Sequence, residues 1–583
     1  PKSGRAMRHL LGLLLLLALP TLALTKRHAP NHIIEPLSRY NPGNVQVPKK
    51  QFPGTVLTVT PDTLAEGGAY LTVTWKVLLP RKSPYFVAMY LENDDVTATV
   101  PIKYMMVQNG KEEPALKAGG DVKFWAVNMR KNIVFCLFRG DPEDAELLLK
   151  SNVVTLDSPN EPTSGRLTQT ADPGGMTVSW ITGDGAKGQT LQFGSFAGKL
   201  DHSIDATRLP GYNRLDMCGG VAKTKGYRDP GTFWTATMAG LSPGDKVHFR
   251  YGSDADGWSE PSFFFPPPTP DMPAKIFVFG DLGTHSPDNS EQPWDSVASR
   301  NSTDAMFLES LGRTLAFHVG DISYAVGYAS KWDDFGNQIA PIATRMPYMT
   351  AIGNHERDWP GGIIAVEDSG GECGVPYDLR FPMPGTDRDA PWYSFDHGPV
   401  HFTVISSEHD LDDQYKFVIK DLANVNRTIT PWVVFATHRP MYVSSTNNNI
   451  PDGDQTMATQ LREVFEELLY IAEVDIVLSG HHHSYQRTCP VLKGACTKPR
   501  PNATADAYMG PVHIVAGMAG AASTTNIQTP QPPIYQMVDA EHHGYMRLFA
   551  DKTTLTMEYI RTDDNTIHDK FQLVRPLPPP PPP

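Results

Sequence analysis

The stretch Lys275-Ile276-Phe277-Val278-Phe279-Gly280-Asp281-Leu282-Gly283 sets an acidic residue at the exit of an apolar run. A continuous apolar run closed by glycine reads as a strand covered on both faces. The pattern recurs downstream. Residues 315–319 run into Gly320-Asp321-Ile322-Ser323-Tyr324, residues 432–435 into Ala436-Thr437-His438, and residues 476–478 lead to Gly480-His481-His482-His483. A shorter stretch, 349–352, precedes Gly353-Asn354-His355-Glu356. In open α/β sheets chemistry collects at the carboxyl ends of strands. One GD or GNH is commonplace, and a lone histidine after a strand is more often a satisfied core residue than a ligand. Five such pieces in series, each delivering Asp, Asn, His or Tyr, point to a polynuclear metal site.

Carboxylate, amide and imidazole suit first-row transition metals of borderline hardness, and a phenolate suits a hard trivalent ion. Asp281, Asp321, Tyr324, Asn354, His438, His481 and His483 supply seven donors. That exceeds what one ion takes when a position must stay open for water or substrate. Two ions sharing one carboxylate would use all seven. His481 and His483, two apart, point to the same side of an extended strand exit, which turns His482 away into a structural role. Asp321 and Tyr324, three apart on a tight turn, can converge on one centre. Tyr485 and the Gln486-Arg487 pair read as shaping the loop.

The series GD-x-G, GD-x-x-Y, GNH-E, lone H and GH-x-H resembles the calcineurin-like metallophosphoesterases, and Tyr324 narrows the resemblance to the purple acid phosphatases. The likeness runs from about residue 275 to 487. It implies that Asp281, Tyr324 and His483 hold Fe(III), that Asn354, His438 and His481 hold a divalent zinc, manganese or iron ion, and that Asp321 bridges them. It further implies that His355 contacts the substrate phosphate as a catalytic residue, with metal-bound hydroxide as nucleophile. A metal pair about 3.5–4 Å apart clamps the attacking and leaving oxygens of an in-line displacement at phosphorus. One departure stands out. Where plant members carry two adjacent histidines after the lone ligand histidine, this chain has Asn447 and Asn448. An amide donates a hydrogen bond but no proton. The general acid is therefore sought elsewhere, among His409, His542 and His543.

The 583 residues suffice for three or four domains, with 40% hydrophobic and 10% aromatic content in the globular range. A net charge of −13 argues against a general nucleic-acid or anionic-membrane binder. Basic residues before the apolar run 10–19, followed by Pro20 and Thr21-Leu22-Ala23, read as a signal peptide over 1–25, with Met7 as initiator and residues 1–6 as an upstream artefact. Ten apolar residues are too few for a membrane anchor. Sequons at Asn301, Asn426 and Asn502 agree with a secreted glycoprotein. Of five cysteines, Cys489 and Cys496 read as a local disulfide, and Cys136, Cys218 and Cys373 leave one odd thiol if two pair.

Alternating apolar runs separated by Gly and Pro predict an N-terminal β domain over 31–160. A second β segment, 161–268, carries Trp180 on an early strand, as a fibronectin-type sandwich does. It resembles the N-terminal domain of plant-type purple acid phosphatases, while the first resembles an extension found in longer members. Packing and positioning of the catalytic region is the expected role of both. The proline-rich segment 266–273 links to a metallophosphoesterase domain over 275–487, completed by 508–574 and followed by a proline-rich tail, 575–583. The resemblance implies a four-layer αββα arrangement there. Residues 461–472 carry a helical apolar period, and 356–384 read as a long loop at the site mouth.

The leading expectation is a secreted, cell-wall or vacuolar acid phosphatase acting on small phosphate monoesters, with a homodimer as candidate assembly. Phosphodiesters or nucleotide pyrophosphates are the alternative substrates on the same site. A non-catalytic extracellular binding protein is the third reading, which the intact set of seven donors disfavours.

Overall fold

The computed structural model describes residues 36–48, 55–65, 67–76, 83–108, 119–358, 368–498 and 508–575. The expected leader at 1–25, the sequon at Asn502 and all of the tail but Arg575 lie outside these residues. Two antiparallel sheets open the described chain. One contains Val56–Thr60, Ala69–Lys76 and Gly120–Ala126; the other contains Lys103–Gln108, Tyr85–Leu91, Ile133–Arg139 and Glu146–Lys150. Ala69–Lys76 follows the two-residue period of a half-covered strand, burying Leu71, Val73 and Trp75. Tyr85–Leu91 does not, since every one of its residues is buried. Val87 and Met89 join the core between the sheets, whereas Phe86, Ala88 and Tyr90 enter a second core with Leu37, Tyr40 and Phe138. Tyr328, far along the chain, shares that second core.

The next sandwich pairs Thr163–Gln169, Met176–Thr182 and Thr232–Met238 in one sheet, and Thr190–Gly194 with Val247–Ser253 in the other. Trp180 sits in its core with Leu167, Val178 and Phe249. The indole nitrogen donates to Gln189 Oε1 at 3.1 Å, which satisfies its one polar atom.

Beyond residue 270 two larger sheets face each other. In the first, β1 (Ala274–Phe279), β2 (Leu315–Val319) and β3 (Tyr348–Ala351) run parallel, and Gly544–Ala550, Thr554–Arg561 and Ile567–Val574 continue it antiparallel. In the second, β4 (Trp432–Ala436) and β5 (Ile476–Ser479) are parallel neighbours between Val400–Val404 and Val512–Ala516. One core joins them: Ile276, Phe317, Phe402, Val434, Ile514 and Leu548 are fully buried in it. Burying each such side chain contributes roughly 1.5–3 kcal/mol. Helices Val297–Leu308 and Ser330–Ala343 pack together beside the first sheet, and Leu411–Asn424 and Asp454–Ile471 beside the second. The expected αββα layering is present.

Two expectations need correction. The helix read over 461–472 is Asp454–Ile471. Its first two turns are mostly polar, and only Asp454, Met457 and Ala458 are buried there, so the apolar period is thin where the helix begins. The loop read over 356–384 contains a helix, Val375–Arg380. Cys218 pairs with Cys373, tying that segment to the second sandwich; Cys489 pairs with Cys496, and buried Cys136 is free. Among the described residues, no helix is long and apolar enough to cross a membrane.

Candidate metal centre

All seven donor residues meet where β1 to β5 end. Four of the seven donors follow a glycine, and at three of these the lack of a side chain follows from space. A Cβ on Gly320 would lie 2.3 Å from His438 Nδ1, one on Gly353 2.3 Å from Asp321 Oδ1, and one on Gly480 2.5 Å from Asp281 Oδ2. Four donors occupy left-handed backbone: Asp281 at φ 58°, Asp321 and Tyr324 at 51°, and His481 at 68°. Non-glycine residues pay on the order of 1–3 kcal/mol for such conformations and hold them only where surroundings enforce them. Here the enforcement is visible. Asp281 N donates to Gly320 O at 3.1 Å, Leu282 N to Asp321 O at 3.2 Å, and His481 N to Asp281 Oδ2 at 2.9 Å. Buried Glu356 accepts from Ile322 N at 2.8 Å and Gly353 N at 3.1 Å, clamping two exits together.

The left-handed turn at His481 corrects the expectation of an extended exit. His481 and His483 still reach the same pocket, but they join different groups. Ligand atoms of Asp321, His438 and His481 lie within 4.8 Å of one another, and so do those of Asp281, Asp321 and His483; Asp321 belongs to both. Tyr324 completes the second group. Its hydroxyl lies 3.2 Å from Asp281 Oδ1, 3.3 Å from Asp321 Oδ2 and 2.9 Å from His483 Nε2. Asn354 completes the first, with Oδ1 3.0 Å from His438 Nε2 and 2.9 Å from His481 Nδ1.

The ring nitrogens explain why these groups fit cations. His438 Nδ1 donates to Val319 O at 2.9 Å and His483 Nδ1 to Ala522 O at 2.6 Å. When neutral, each ring turns an Nε2 lone pair inward. His438 Nε2 meets Asp321 Oδ1 at 3.2 Å as well as the Asn354 oxygen, so three acceptors converge. Acceptors that close repel unless a proton or a cation lies between them. Imidazole, carboxylate, amide oxygen and phenol are the donor set that first-row metals take.

The electrostatics without ions agree with this. Burial would raise Asp321, yet His438 and His355 hold it well below the usual carboxylate range. Burial would lower His438, yet Asp321 pushes it up to about 10. A proton on His438 thus stands in for positive charge. Burial lifts Asp281 and, with Asp281 beside it, lifts Tyr324 far above the phenol range. Burial and Asp321 push Glu356 up to about 8.

His355 sits beside both groups: its amide donates to Asp321 Oδ1 at 3.0 Å, its Nδ1 to Asp368 O at 2.8 Å, and Nε2 lies 3.8 Å from Asp321 Oδ2. His482 turns away to Ser484 and Asn526, and Tyr485 and Arg487 bind Asp569. The acid candidates are engaged elsewhere. His409 is held by Ser406 Oγ and Arg388 O, and burial pushes it down to about 4. His542 pairs with Asp539, while His543 donates to Ala521 O beside the carbonyl that orients His483.

Sequence reasoning missed three residues. Asp454 Oδ1 lies 3.5 Å from His481 Nε2, an acidic partner behind a donor histidine of the kind that fixes ring orientation in metal sites. Its signal is weak, one acid among the polar residues that open a helix. Buried Arg439 follows His438 directly; it donates to Glu408 Oε1 at 2.8 Å and lies 3.3 Å from His481 Nε2. Trp294 packs its ring 5.5 Å from Tyr324 and 5.3 Å from His355.

The same chain has clear likenesses among known proteins. Residues 162–265 match the purple acid phosphatase N-terminal domain, 274–485 the calcineurin-like phosphoesterase family, and 510–570 the iron/zinc purple acid phosphatase-like protein C family. "Probable inactive purple acid phosphatase 27" of Arabidopsis thaliana is 34% identical over 498 residues, covering 82% of this chain and 80% of the relative. The "Nucleotide pyrophosphatase/phosphodiesterase" of Hordeum vulgare is 37% identical over 327 residues, covering 54% of this chain and 88% of the relative. The solved purple acid phosphatase PPD1 of yellow lupin (Lupinus luteus) seeds superposes with a TM-score of 0.80 at 29% identity, covering 90% of this chain and 96% of that one. With its fold, its two donor groups and these likenesses in agreement, the chain belongs to the purple acid phosphatase family of calcineurin-like phosphoesterases, whose members use a binuclear metal centre.

Proposed function

We propose that this chain hydrolyses phosphate monoesters in acidic surroundings at a binuclear centre. Asp281, Tyr324 and His483 would hold Fe(III), Asn354, His438 and His481 a divalent zinc, manganese or iron ion, and Asp321 would serve both. One observation carries the reading: acceptor atoms converge in two groups that share Asp321. When bound, the ions supply the charge that polarises a phosphoester and acidifies water.

The chain's own residues do the rest. His355, its Nδ1 committed to Asp368 O, turns Nε2 toward the pocket, where it can bind a phosphate oxygen and support the charge that develops there. Asp454 holds the His481 ring from behind, and the Arg439 guanidinium packs beside the same nitrogen. Glu356 keeps the Asp321 and Asn354 turns in register. Two disulfides support passage through an oxidising compartment, and hence a secreted, cell-wall or vacuolar location.

Several relatives carry "inactive" in their names, but all seven donors are present here and converge, which favours activity. A second reading keeps the site and changes the substrate to phosphodiesters or nucleotide pyrophosphates. It is favoured by Asn447, whose side chain lies 3.4 Å from Asp454 and supplies no transferable proton, and by the name of the barley relative. Metal analysis of the purified protein, with turnover of a monoester, a bis-ester and a dinucleotide at matched pH, separates the two. Substoichiometric metal, or full hydrolytic activity in Asp321→Asn, would end the binuclear assignment.

A further inference from the structure

Residues 284–295 join the exit of β1 to helix Val297–Leu308, and the N-terminal sandwich holds this segment from outside. Lys103 Nζ donates to Ser286 Oγ at 2.8 Å and pairs with Asp288 Oδ2 at 2.9 Å, with both charged side chains almost wholly buried. Asp288 Oδ2 also accepts from Trp125 N at 2.6 Å. Tyr104 and Glu291 exchange two backbone hydrogen bonds, at 3.2 and 2.8 Å, so the segment is stitched to an edge strand of that sandwich. From the other side, Gln338 Oε1 accepts from His285 N at 3.0 Å. Two non-glycine residues within the segment are left-handed, Asn289 at φ 56° and Trp294 at φ 45°. A bulky residue at positive φ is an outlier that surroundings must enforce.

What this enforcement positions is an indole. Trp294 packs on the small apolar cluster of Tyr324, Val326 and Ala521, with its ring against those of Tyr324 and His355, yet it is only partly buried. The indole stands next to the histidine that would meet the phosphate, its ring centroid 5.3 Å from that of His355.

Resting on the phosphoester reading of the pocket, we propose that Trp294 is a stacking platform for a flat aromatic leaving group, a nucleobase or an aryl ring. A ring stacked on it would be oriented with its phosphate toward His355, so the N-terminal sandwich builds one wall of the site. Aromatic stacking of this kind contributes about 1–3 kcal/mol per base, which is roughly 5- to 140-fold in affinity.

The test compares the metal-loaded full chain with Trp294→Ala and Trp294→Phe. Turnover is measured on p-nitrophenyl phosphate, AMP and glycerol phosphate, and binding of AMP and of inorganic phosphate by calorimetry. In Trp294→Ala the kcat/KM ratio of each aromatic ester to glycerol phosphate is expected to fall at least roughly fivefold. Trp294→Phe should recover most of it, and AMP should lose its advantage over phosphate in the binding measurement. A loss confined to AMP assigns the platform to nucleobases; a loss in both esters assigns it to aryl groups generally. Unchanged ratios in Trp294→Ala at intact metal content overturn the proposal. If the wild-type chain hydrolyses none of these esters, the phosphatase reading fails by itself. The platform then stands if AMP still binds more tightly than phosphate in a Trp294-dependent way, and falls if the two bind equally.

Discussion

Replacing Gly353 by alanine adds a methyl group at the most constrained point of the pocket. The new Cβ would lie 2.3 Å from Asp321 Oδ1, 2.4 Å from Asp321 N and 3.1 Å from Asp321 Cγ. Ordinary contacts to carbon begin at about 3.5 Å, so a gap of about 1 Å must open. Rotating the carboxylate cannot relieve the clash, because one of the atoms met is the Asp321 backbone nitrogen. The Gly353 and Asp321 turns must separate, against the Glu356 clamp that binds them both. Overpacking of this kind costs about 1–3 kcal/mol in stability. The functional cost is greater. Asp321 belongs to both donor groups, metal distances tolerate about 0.2 Å, and a 1 Å misplacement costs on the order of a hundredfold in rate. The expected result is loss of both metals to a chelator at roughly tenfold lower concentration, and a kcat reduced about a hundredfold. Gly211→Ala is the control, since its Cβ would meet nothing within 4 Å. Wild-type metal retention and kcat in Gly353→Ala would refute the claim that the absent Cβ defines the pocket.

Asp454→Asn keeps the shape behind His481 but removes the charge; metal affinity should fall about 10- to 100-fold in a titration, and an unchanged affinity would detach Asp454 from the site. Tyr324→Phe should erase the visible absorption band of the iron-loaded protein, and a band that survives would mean the phenol is no ligand. Far from the pocket, burial would lower His401, but Asp396 at 2.6 Å and Asp421 at 3.0 Å push it up to about 9. A folded-state value above the ordinary one gives stability that is complete below about pH 6.5 and is lost as pH rises through about 9. The unfolding midpoint of the wild-type chain should therefore exceed that of His401→Gln most at acidic pH, with the difference shrinking across that window; a constant difference would contradict the ion pairs.

The pocket was legible because its parts are local. An apolar strand, a glycine and a donor residue lie next to one another in the chain, and the five pieces needed only a parallel sheet to bring them together. Resemblance then proposed roles for the seven candidate donors and His355, and the structure brings these residues together. The role of Asp454 was not legible, because it depends on where a helix start lands relative to a histidine on another strand. Trp294 was hidden for a like reason: its neighbours Tyr324 and His355 come from two other strand exits. The continuous run of Tyr85–Leu91 did carry a signal, since a strand apolar on both sides needs a cover on both sides, but nothing local says that Tyr40 and Tyr328 provide it. His481 shows the limit of periodicity, because a single left-handed residue breaks the two-residue alternation that the spacing suggested.

That doubly covered strand makes the first sandwich impossible to detach cleanly. Cutting the chain near residue 160 would strip Phe86, Tyr90 and Phe138 away from Tyr328 and leave an oily scar on the remainder. It would also orphan Asp333, whose carboxylate is gripped at 2.8 Å by both arms of the Arg130 guanidinium in a nearly dry setting. A shortened version that clumps in solution would then reveal its raw surface and nothing of its chemistry, so any fair trial of this protein has to keep its front end.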